Sequence, residues 1–63
     1  MTDTITTDDM LKCAQRELAL RKNAYPRWIA AGKMSEGGAK HQIDAMAAIV
    51  AHFQAAVEKE RLI

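Results

Sequence analysis

A chain of 63 residues with a formal net charge of +1, 27% charged and 5% aromatic side chains is bounded to one domain, and a domain of that size buries only ~60% of its unfolded surface. The near-neutral balance argues against bulk electrostatic capture of nucleic acid, no stretch approaches the ~18 unbroken apolar residues of a membrane span, and no apolar run after a basic start marks a secretory leader. Cys13 is the single cysteine, which excludes an intramolecular disulfide and fits a reducing interior, so the sequence predicts a soluble, cytoplasmic chain with no membrane partner that gains stability by association.

The elements follow in chain order. Residues 1–7 read as a flexible N-terminus, with Thr6 or Thr7 placed to accept from an orphan N–H and Asp8 and Asp9 at the positive end of a helix dipole. A first helix is predicted over about 8–31, ended by Gly32 in the left-handed position beyond its last turn. Ser35 then caps a second helix over about 36–61, whose first turn Gly37 and Gly38 weaken. At ~1.5 Å per residue the two have nearly equal lengths. They fit an all-α, antiparallel two-helix hairpin filling a single domain, 1–63.

The second helix carries a seam of Ala39, Ile43, Met46, Val50, Phe53 and Val57 at steps of four and three, the spacing of a coiled-coil-like packing face. Its other side, Ala45, Ala48, Ala51 and Ala55 with His41 and His52, is either helix-favouring filler or a smooth surface for close helix approach. The first helix carries two apolar stripes. One is Met10, Leu11, Ala14, Leu18, Tyr25, Trp28 and Ile29; the other is Cys13, Leu20, Ala24 and Ala31. Together they span about half the circumference, more than one antiparallel neighbour covers. This surplus predicts a homodimer, most simply a four-helix bundle, with Met10, Cys13, Glu17, Leu20 and Ala24 at the dimer interface.

Glu17 and Arg21 lie within that arc at an i,i+4 spacing, either as a specificity device at the interface or as a partly solvated ion pair. Pro26 projects on the polar side, where water can satisfy the carbonyl of Lys22, and a kink there would bend the end of the helix toward its neighbour. Tyr25 and Trp28 either close the open end of a thin core or form a contact patch with the nearby arginines, since Trp, Tyr and Arg dominate interface hot spots. The partner-binding candidates are accordingly Arg21, Tyr25, Arg27, Trp28 and Lys33.

Charge is unevenly placed. Residues 1–20 hold Asp3, Asp8, Asp9 and Glu17 against Lys12 and Arg16, a balance of −2, whereas residues 21–41 hold Arg21, Lys22, Arg27, Lys33 and Lys40 against Glu36, a balance of +4. A basic hairpin turn supports an alternative reading, a small nucleic-acid-binding or transcription-regulating protein that uses Arg27, Lys33 and Lys40. Against it, a helix-turn-helix core needs a third helix, and Ala39, Lys40, His41 and Gln42 offer few base-reading side chains.

No reaction chemistry is spelled out. His41 and His52 are ~16 Å apart along a helix, His41 with Asp44 lacks a third ligand, and Cys13 has no histidine beside it on its own helix. "GKMS" lacks the glycine pattern and strand of a phosphate loop. The expectation is a non-enzymatic protein with no catalytic residues, metal or cofactor.

The run "ELALRKNAYPRWIAAGKMSEGGAKHQIDAMAAI", residues 17–49, resembles small proteins encoded by phages and prophages of proteobacteria. The pattern is carried by Glu17, Leu18, Arg21, Tyr25, Pro26, Trp28, Ile29, Gly32, Lys33 and Met34, then Ala39, Ile43, Met46, Ala48 and Ile49. The resemblance covers about half the chain and implies a phage-type accessory protein in the host cytoplasm. Some early phage proteins of this size and build act as dimers that inhibit host proteins, including a quorum-sensing anti-activator that engages a transcription regulator. By that likeness the expected partners are a second copy and a host protein such as a transcription regulator or a defence component.

Overall fold

The computed structural model describes residues 4–61, so the part of the expected flexible start at 1–3 lies outside the described residues. Within them the chain forms α1 (Thr7–Ala30) and α2 (Glu36–Arg61), joined by a turn at 31–35. No strand occurs among the described residues. The predicted hairpin is present with α1 shifted one residue toward the N-terminus at each end.

Local chemistry sets these limits. Thr6, in extended backbone, accepts from the Asp9 N–H through Oγ1 at 3.0 Å, while its own N–H donates to Asp9 Oδ2 at 3.1 Å. This reciprocal box satisfies two otherwise orphaned groups. Thr6 is therefore the cap and Thr7 the first helical residue. At the other end of α1, Gly32 has φ +76. Its N–H donates to the Ile29 carbonyl at 3.0 Å and that of Lys33 to the Trp28 carbonyl at 2.9 Å, a Schellman closure that needs the left-handed backbone of Gly32. Ser35 Oγ accepts from the Gly38 N–H at 3.0 Å and starts α2. Pro26 sits inside α1 on its exposed side, and the helix continues through it to Ala30.

The two helices pack along one seam. On α1, Leu11, Ala14 and Tyr25 are buried with Leu18 and Ile29 half-buried; on α2, Ala39, Met46 and Val57 are buried with Ile43, Val50 and Phe53 half-buried. The whole predicted α2 seam therefore faces inward. Among the described residues two of the six buried ones are alanines and no side chain is less than 2% exposed, so the core is thin even for a chain of this size. At the open end, Thr7 Oγ1 donates to Glu60 Oε2 at 2.6 Å and ties the start of α1 to the last turns of α2.

Candidate interaction surface

Four large apolar side chains of the helices stay in solvent: Met10 at 39%, Leu20 at 56%, Trp28 at 45% and Ile49 at 43% exposure. At ~100° per residue, Met10, Leu20 and Trp28 fall on the same flank of α1 as Cys13, Glu17 and Ala24. Arg21 marks where that flank meets α2. Its Nε donates to Glu17 Oε1 at 2.9 Å, and its Nη1 lies 3.3 Å from both the backbone carbonyl and the side-chain Oε1 of Gln42. Ile49 is one heptad beyond Gln42 and thus shares its flank of α2. The exposed apolar residues of both helices lie on one broad face of the hairpin.

The opposite face differs in character. There Lys12 pairs with Asp8 at 3.1 Å and Lys40 with Asp44 at 2.7 Å, all four side chains well solvated. Such i,i+4 pairs support exposed helix surface and contribute little to stability. One side of the hairpin is laced with i,i+4 ion pairs; on the other the large exposed apolar side chains flank the Glu17, Arg21 and Gln42 network. No protein-family model, curated protein or solved structure matches the chain.

The candidates anticipated from sequence divide clearly. Met10, Cys13, Glu17 and Leu20 are exposed and Ala24 is half-buried, all on the apolar face. Of the partner-binding set, Arg27, Trp28 and Lys33 are exposed, whereas Tyr25 is only 7% exposed and belongs to the core. The Tyr25 and Trp28 rings nevertheless meet at 5.4 Å between centroids, so the buried ring props the exposed one. Arg21 is half-buried at the seam and is occupied by its own chain. An open groove of about 300 Å³ surrounds Ala24, walled by Leu20, Arg21, Tyr25, Arg27 and Trp28. It joins the two sets into one continuous surface.

Ile49 and Gln42 were not among the candidates. Ile49 steps off the α2 seam, and its heptad relation to Gln42 was the signal that could have placed both. At the turn, Arg27 and Lys33 have no acidic partner among the described residues, while Lys40 is held by Asp44. No group of three or more His, Cys, Asp or Glu side chains able to hold a metal occurs among the described residues. No described helix is long and apolar enough to cross a membrane.

Proposed function

We propose that the chain is a non-enzymatic interaction protein of the phage accessory type, which self-associates through its apolar face and binds a host protein, inhibiting a regulator or a defence component in the host cytoplasm. The observation that carries this reading is the gathering of Met10, Leu20, Trp28 and Ile49 on one side of a hairpin whose other side is charged. Contiguous apolar surface of this kind favours association over solvation. The phage and host assignment rests on the sequence resemblance of residues 17–49. For the host partner, the turn end with Arg27, Lys33 and the edge of Trp28 offers the pairing of cation and aromatic ring that protein interfaces favour.

A pull-down of tagged protein from proteobacterial lysate, beside an Arg27→Glu/Lys33→Glu variant and with nuclease treatment, tests the reading. A specific host protein retained after nuclease and reduced in the variant supports it. The alternative, nucleic-acid binding through the turn, is favoured by Arg27 and Lys33, which have no acidic partner among the described residues. It requires recovery of nucleic acid alone, lost in the variant, with affinity falling steeply as salt rises. A flat salt response counts against that alternative.

A further inference from the structure

We propose that the partner covering the apolar face is a second copy of this chain, stacked with α1 antiparallel on α1 about a two-fold axis, so that the two basic turns lie at opposite ends of the bundle. The inference rests on the self-association proposed above and specifies its geometry. Three observations carry it.

The first is area. The hairpin exposes 4997 Å², against ~4000 Å² for a compact protein of 7.0 kDa. The excess of about 1000 Å² is close to the ~800 Å² that each partner contributes to a standard interface. With extents of 47 × 28 × 13 Å the molecule is a slab one helix thick, so stacking a second slab gives the apolar face the cover that a single hairpin lacks.

The second is charge. Residues 1–20 carry −2 and residues 21–41 carry +4. Stacking α1 on α2 of the second copy would set the two turns side by side, with Arg27 and Lys33 of both copies adjacent. The antiparallel α1 arrangement instead lays the turn end of each copy over the end holding Asp8 and Asp9 of the other. Complementary placement of this sort fixes register and orientation in an interface.

The third is the fit of the stripe to its own reverse. Full overlap of two antiparallel Thr7–Ala30 helices puts Cys13 opposite Ala24 of the second copy. Glu17 comes opposite Leu20 and within one residue of Arg21, and Met10 within one residue of Trp28. The groove at Ala24 thus receives Cys13 and the neighbouring Met10 side chain, and the sulfur of Met10 reaches the Trp28 ring, a favourable contact. A two-fold axis makes every such contact twice. Arg27 and Lys33 stay at the rim, where a host protein can reach them.

Crosslinking reads the geometry directly. In this register the two Cys13 residues are offset by ~16 Å along the helix axis, beyond the ~7 Å that a disulfide spans between Cα atoms. Within one α1 an introduced thiol at position 24 is equally far from Cys13. On mild oxidation Ala24→Cys is expected to become mostly covalent dimer, with peptide mapping placing the bond between Cys13 of one copy and the new thiol of the other. Unmodified protein is expected to give none. A Cys13-to-Cys13 bond in unmodified protein overturns the proposal, as does absence of crosslinking in a helical Ala24→Cys chain that sediments at twice 7.0 kDa. Those outcomes leave self-association standing with a different geometry. An unmodified chain that sediments at 7.0 kDa removes both.

Discussion

Thr6, Gly32 and Gly37 each act through backbone groups within a few residues, so their substitution effects follow from local chemistry. Thr6→Ala removes the side-chain acceptor for the Asp9 N–H and is expected to cost ~1 kcal/mol in urea unfolding. The Thr6 N–H bonded to Asp9, helped by the Thr6 hydroxyl, holds the Asp9 carboxyl below its ordinary range. A lowered folded value means that this stabilisation is present above the ordinary carboxylate pKa and is lost as pH falls through the lowered one. Helicity should therefore decline on acidification below about pH 4, and Asp9→Asn should flatten that part of the circular dichroism titration. Glycine substitutions separate two causes. A Cβ at Gly32 meets nothing within 4 Å but must adopt φ +76, so Gly32→Ala should destabilise by ~1 kcal/mol through conformation alone. Gly37 is helical and equally unobstructed, and Gly37→Ala should stabilise by ~0.5 kcal/mol. Equal losses at both positions in thermal unfolding would contradict this account.

The elements were legible to different depths. Both helices, their caps and the α2 seam could be read because caps are local and a four-three repeat of apolar residues needs no knowledge of the partner helix. Arg21 was harder. The α1 seam passes through it between Leu18 and Tyr25, and a search for apolar periodicity skips an arginine that packs its stem inward and turns its head to Gln42. The same repeat separates the two rings, since Tyr25 continues the line of Leu11, Ala14 and Leu18 whereas Trp28 falls ~60° to one side. Read by apolar stripe alone, they look equivalent. The packing consequence is testable at Met46, 8% exposed at the middle of the α2 seam. Met46→Ala should cost at least ~2 kcal/mol, whereas Ala55→Ser on the exposed side should change stability by less than ~0.5 kcal/mol.

For the whole molecule, the proposed self-association would link stability to association. The proposed self-association predicts a melting temperature that rises with protein concentration, since a bound second copy would stabilise the folded form by mass action. Leu20→Glu places a charge in the middle of the apolar face and should shift the sedimentation mass from twice 7.0 kDa toward 7.0 kDa; an unchanged dimer mass would refute the assignment of that surface. What the sequence left open at this scale was that the two sets of candidate residues adjoin, which depends on which flanks of two helices end side by side. The turn at 31–35 has a kinetic consequence as well. Contacts between α1 and α2 lengthen in sequence separation with every step away from it, from Arg21 on Gln42, 21 residues apart, out to the Thr7 and Glu60 bond, 53 residues apart. Loop-closure entropy rises with that separation, so zipping from the Gly32 end outward is the expected order, testable by hydrogen exchange. By that order the Thr7 and Glu60 bond is expected to close last, and amide exchange should be fastest at that end of the hairpin.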